Sequence, residues 1–181
     1  MSRKRTDATP RERRRDEPSQ ADLEWCYDAV EDVSRTFALT VTELEEPMSR
    51  DICVGYLLCR VADTVEDAGH IPPAEKRTLL ECYGRVIDPN EEETVAAFEE
   101  RVAEWIPDDP DDDWTVVAES SRIVRTFEAL DPASKRAIRP PVKELVSGMA
   151  MFVDRYAEHG GLRLRTLDEL EEYCWYAAGT V

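Results

Sequence analysis

The stretch from Met48 to Ala68 constrains the fold more than any other part of the chain. It follows Pro47, stops before Gly69 and repeats apolar residues at three and four, so it reads as one helix of about six turns. Tyr56, Arg60, Asp63 and Asp67 are separated by four, three and four residues, which stacks them in one stripe. Val54, Leu57, Leu58, Val61, Ala62 and Val65 fall on the opposite side and read as core.

The charged stripe carries the chemistry. Two carboxylates one turn apart, with Glu66 beside them, suit a hard cation such as Mg²⁺ and leave coordination positions open for phosphate. A guanidinium one turn earlier is placed to meet the same anion. An ordinary solvated helix face has the same pattern, so the reading needs support from elsewhere in the chain.

The rest of the sequence is helical too. Leu23, Cys26, Tyr27, Val30, Val33, Phe37 and Val41 predict a helix from Asp22 to a break at Glu45-Glu46-Pro47. Another runs from Pro72-Pro73 to Asp88-Pro89, and a charged one covers 91–105 with Val95, Phe98, Val102 and Trp105 inward. The two prolines of Pro107–Asp113 predict a solvated acidic loop whose carboxylates are not held in register. A helix from Trp114 to Leu130 follows, and then a cap at Asp131-Pro132. Pro140-Pro141 is read as a restart or kink leading into a long helix from Val142 to about Glu158. Thr166 and Glu169 form a capping box for a last helix that holds Tyr173 and Tyr176. No stretch alternates as a strand would, so the expected class is all-α.

Composition narrows the function. The chain carries 40 acidic and 23 basic residues, a net charge of −17. Seven basic and four acidic side chains lie in residues 1–20, so residues 21–181 carry −20. Residues 1–20 lack apolar periodicity and read as a disordered basic tail, leaving 21–181 as one domain. Such an acidic field excludes nucleic acid as a partner. With only four lysines among the basic residues, it matches a surface adapted to concentrated salt, as in a salt-loving prokaryote. The five cysteines show no paired spacing for zinc or disulfides, and Cys53, Cys59 and Cys174 read as small core residues of a cytoplasmic protein. His70 and His159 are given no function.

Three segments support the stripe. Ser34-Arg35-Thr36-Phe37, Tyr56 through Asp67, and Tyr173-Cys174-Trp175-Tyr176-Ala177-Ala178-Gly179-Thr180-Val181, in this order and at these separations, resemble the squalene/phytoene synthase family. The resemblance covers residues 23–181. It implies an isoprenoid synthase-type helical bundle around a central cavity, and a Mg²⁺-dependent transferase that joins two isoprenoid diphosphates head to head. It gives Asp63 and Asp67 the metal role, and sets Tyr56, Arg60, Ser34 and Arg35 near diphosphate. Phe37 is expected against the prenyl chain and Tyr173 at the reaction centre. Ala177, Ala178 and Val181 would leave room for the prenyl tail. Thr36 departs mildly from the family's usual serine.

In the chemistry that the resemblance implies, diphosphate departure leaves an allylic cation, the second substrate's double bond attacks it, and a cyclopropyl intermediate forms. Squalene from farnesyl diphosphate, with NADPH as reductant, is favoured on Ala62–Asp67 and Gly148–Phe152. Phytoene from geranylgeranyl diphosphate comes next, on Cys59-Arg60 and Ala178–Val181. The family's second aspartate-rich motif is not in this sequence, so the chain is expected to be the N-terminal part of a truncated bundle. Its exposed apolar faces would then favour association. The alternative is a non-catalytic helical remnant or partner subunit. No basic amphipathic helix is present, which limits any membrane contact to the periphery.

Overall fold

The computed structural model describes residues 19–159 and 161–181, and every described element is helical. The expected tail lies outside the described residues except for Ser19 and Gln20, and Gln20 already opens the first helix. The order is α1 (Gln20–Val33), α2 (Arg35–Thr42), α3 (Met48–Asp67), α4 (Pro73–Ile87), α5 (Val95–Val102), α6 (Asp112–Ala118), α7 (Ser120–Ala129), α8 (Pro132–Arg155) and α9 (Leu167–Cys174). A 3₁₀ turn extends α5 over Ala103–Trp105, and α9 runs into a π-helical turn, Trp175–Gly179.

The stretch Met48–Asp67 forms the central helix, packed against α1, α2, α4, α6, α7 and α8. Its apolar side is core as its periodicity demands: Val54, Leu57, Leu58, Val61 and Ala62 are fully buried. Each buried leucine contributes about 2 kcal/mol of transfer free energy. Tyr83 of α4 lies in the same core, 5.0 Å from Phe98 between ring centroids, and its Oη donates to the Leu58 carbonyl at 3.0 Å. That bond satisfies a hydroxyl that would otherwise be costly to bury.

The expected helix from Asp22 to the Pro47 region is two helices. Ser34 is extended (φ −157°, ψ 82°) and breaks it, so α2 turns away to reach α3. Likewise the helix expected over 114–130 breaks at Glu119 and starts earlier, at Asp112. α5 starts at Val95, with the Thr94 side chain accepting from the Ala97 N–H. In α8, by contrast, Pro140 and Pro141 sit inside a continuous 24-residue helix that begins before them. Their missing N–H groups leave the Arg136 and Ala137 carbonyls without i+4 donors. The helix persists because its C-terminal half is locked by Leu145, Val146 and Phe152, each buried to about 1% exposure.

Side chains close the junctions. Asp131 caps α8 through the Ala133 and Ser134 N–H groups, and the Ser134 hydroxyl also donates to Asp51 of α3. Arg139 donates to the last carbonyl of α4, that of Ile87, at 2.9 Å. No described helix is long and apolar enough to cross a membrane.

Candidate functional site

Because α3 buries one side completely, its other side is fixed in direction. Down that side run Tyr56, Arg60 and Asp63, partly buried, and then Asp67, exposed at the helix end. Glu66 stands beside the last two and is partly buried. Burial pushes the Asp63 carboxyl up to about 6; Asp67 and Asp113 add to the shift and Arg60 opposes it. Burial pushes Glu66 up to about 7, helped by its hydrogen bond to Asp67 and by that neighbour's charge. Among the described residues, no basic side chain comes within ion-pair distance of Asp63, Glu66 or Asp67. The nearby Lys76 ammonium instead donates to the Glu66 carbonyl at 2.5 Å.

Tyr173, more than a hundred residues away in sequence, arrives at this group. It borders a cleft of about 280 Å³ with Glu66, Asp67, Gly69, Lys76 and Phe152. Its hydroxyl is raised to about 12, first by burial and then by the charges of Glu66, Asp67 and Asp63. Phe152 of α8 holds its ring edge-on at 5.3 Å. The seat is set one turn earlier, where the Tyr176 ring lies directly on Gly148 and leaves no room for a Cβ there.

On the other flank of the stripe the wall is apolar. Phe37 stacks on Tyr56 with centroids 4.3 Å apart and rings 23° from parallel. Together with Ile52, Gly55, Ile138, Val142 and Val181 they border a cavity of about 580 Å³. Acid at one end and an apolar slot at the other suit a ligand with an anionic head and a hydrocarbon tail.

The family model for squalene/phytoene synthase matches residues 30–181. The chain belongs to the squalene/phytoene synthase family. Squalene synthase 1 of Arabidopsis thaliana is 27% identical over 165 residues, which are 91% of this chain and 35% of that protein. Presqualene diphosphate synthase of Botryococcus braunii is 29% identical over 167 residues, 90% of this chain and 36% of that protein. Among solved structures, the complex of TcSQS with the ligand E5700 superimposes with a TM-score of 0.69 at 25% identity, covering 88% of this chain and 41% of that one. The all-α isoprenoid synthase fold is shared. The chain spans about a third of the length of these curated relatives.

The three family segments come together around α3, though not every residue in them reaches a cavity. Tyr56, Phe37 and Val181 border the apolar slot, and Asp67 and Tyr173 the acidic cleft. Ser34 forms the α1–α2 junction without a side-chain capping bond, and Arg35 opens α2 exposed to solvent. Ala177 is half-buried and Ala178 exposed, and neither borders the slot. Cys174, expected in the core, is exposed, because its side of α9 faces solvent; Cys26, Cys53 and Cys82 are buried, and all five cysteines are free.

The acidic loop is the largest correction. Asp111 caps α6 by accepting from the Trp114 N–H at 3.0 Å, so Asp112 and Asp113 lie in its first turn. Asp113 then grips Arg60, Oδ1 to Nε at 2.7 Å and Oδ2 to Nη2 at 2.8 Å. Two prolines hid a helix start, and the cap signature at Asp111 with an aspartate-rich first turn was the signal that could have revealed it. Gly148 and Phe152 were marked only as part of a squalene-like run, and Lys76 carried no mark.

The carboxylates of Asp63 and Asp67 are hard oxygen donors outside any ion pair among the described residues, and Asp67, with Glu66 beside it, borders an open cleft, which fits a divalent cation held from one side. Among the described residues no three His, Cys, Asp or Glu side chains converge to enclose one.

Proposed function

We propose that this chain carries the first-motif half of a prenyltransferase site for the Mg²⁺-dependent head-to-head condensation of two isoprenoid diphosphates. Farnesyl diphosphate, with squalene as product and NADPH as reductant, is favoured, and geranylgeranyl diphosphate with phytoene comes next. The observation that carries the reading is the group of carboxylates Asp63, Glu66 and Asp67, outside any ion pair among the described residues, on the same helix as a 580 Å³ apolar slot.

Within that reading, Asp63 and Asp67 would hold the metal, which when bound supplies neutralisation of the departing diphosphate. Arg60 offers its remaining N–H groups to the diphosphate oxygens, and Arg35, exposed at the start of α2, offers a second guanidinium. Phe37 and Tyr56 present stacked ring faces to the hydrocarbon, where an aromatic wall lowers the energy of allylic positive charge without reacting with it. Tyr173, held protonated by burial, puts a neutral hydroxyl and ring beside the acidic cleft.

The test is product formation in concentrated KCl with Mg²⁺, with farnesyl and geranylgeranyl diphosphate offered separately, with and without NADPH. The chain is assayed alone and continued through any codons that follow Val181. Squalene or phytoene that disappears in Asp63→Ala supports the reading. The second reading, a non-catalytic helical module, is favoured by the absence of three converging metal ligands among the described residues. It prevails if neither protein makes product and the folded chain binds no Mg²⁺-pyrophosphate.

A further inference from the structure

We infer that Asp113 is a positioning residue: it fixes the Arg60 guanidinium so that its free N–H groups point at the anion bound beside Asp63 and Asp67. The inference rests on the diphosphate reading above. The Asp113 carboxylate engages Arg60 side-on, through Nε and Nη2, at 2.7 and 2.8 Å. Of the five guanidinium N–H groups this uses two, and three stay free on the outer edge.

Asp113 is itself held firmly. Asp111 caps the helix start that carries it, and the adjacent Trp114 is 7% exposed and anchored in the core. His70 packs against Trp114 at 5.4 Å and pairs through Nε2 with the Trp105 carbonyl at 2.8 Å, which braces the same corner. Arg60 and Asp113 border a cleft of about 170 Å³ together with Thr64, Asp67 and Asp111. Arg60 and the exposed Asp67 therefore share one opening. A flexible arginine would have to be ordered on binding, whereas this one is ordered beforehand.

Charge and orientation predict opposite outcomes, which makes the inference testable. Removing Asp113 takes away a negative charge next to the anion, so electrostatics alone would tighten binding. Loss of orientation would weaken it. Pyrophosphate is titrated calorimetrically into the Mg²⁺-containing protein for wild type, Asp113→Asn, Asp113→Glu, Arg60→Lys and the Asp113→Asn/Arg60→Lys pair. Helicity and melting are recorded in parallel, and Asp113→Ser replaces the amide if that variant does not fold.

The expected result is an about tenfold weaker Kd for Asp113→Asn, with most of the affinity kept by Asp113→Glu. The double variant should bind no more weakly than Arg60→Lys alone, because Asp113 acts only through Arg60. Unchanged or tighter binding by Asp113→Asn, or additive losses in the pair, overturns the inference and leaves the diphosphate reading standing. Failure of the wild type to bind pyrophosphate overturns both.

Discussion

Gly148→Ala isolates the contact that seats Tyr173. A Cβ built on Gly148 would lie 2.3 Å from Tyr176 Cγ, 2.4 Å from its Cβ and 2.5 Å from its Cδ1. Carbon atoms in ordinary contact sit about 3.5–4.0 Å apart, so Tyr176 must retreat by more than about 1 Å. In a helix interior the same change is normally worth about 1 kcal/mol of added stability. Forced overpacking costs about 1–3 kcal/mol when the surroundings cannot move. Here one side moves more easily than the other: no residue of α9 or of the π-turn is buried, whereas α8 is locked along Val142–Phe152. The strain should therefore lift the closing segment off α8 and leave the bundle standing. Hydrogen exchange should show amides in 170–180 losing protection, and Trp175, bonded to Glu144 at 3.1 Å, should become more open to iodide quenching. The global unfolding free energy from urea titration should stay within about 1 kcal/mol of wild type. Gly84→Ala is the control, since a Cβ there meets Val146 at an ordinary 3.5 Å, and it should stabilise the protein. If Gly148→Ala behaves like Gly84→Ala, gaining stability with 170–180 still protected, the close seat of Tyr176 is wrong.

Asp63 and Glu66 titrate near 6 and 7 in the folded chain, against 3.8 and 4.5 for unperturbed groups. Between these values the folded state holds more protons than the unfolded one, so without metal, stability should fall as pH rises from about 4 to 7. Asp63→Asn should then be more stable than wild type at pH 7.5 by about 1–2 kcal/mol once solvent screening is allowed for. The gap should close toward pH 4 in urea titrations; a gap independent of pH contradicts the assignment. In native protein, iodoacetamide should modify Cys174 first. Cys26 and Cys53, whose thiols burial raises, should react only in urea, as read by peptide mass spectrometry. Labelling of Cys26 at a native rate would mean that the α1–α3 core opens.

The sequence by itself determined that α3 is one helix, which side of it is core and which carboxylates share its front. Those facts follow from a period of 3.6 applied to twenty consecutive residues, and they need no partner. The ordered family segments were legible for the same reason, as were the caps at Asp131 and Thr166, each of which acts within one turn of its own helix. Where local signals competed, the reading failed. Pro140-Pro141 signalled a restart or a kink, and there is no restart: packing of α8 against α3 and α4 outweighed two lost hydrogen bonds. Ser34 and Glu119 broke helices that periodicity alone would have continued, because the chain had to turn at those points to bury its apolar faces.

Only the tertiary structure decided the rest. That Asp113 belongs to Arg60 across 53 positions, that Tyr173 faces Glu66 and Asp67, and that Gly148 makes a seat for Tyr176 are contacts between distant segments. No spacing rule encodes them, because a side chain's neighbours across a bundle depend on how whole helices pack, and helix packing is set by the sum of many small apolar contacts. The charge states of Asp63 and Glu66 belong with these contacts. A carboxylate's identity is local, but its burial is a property of everything folded around it.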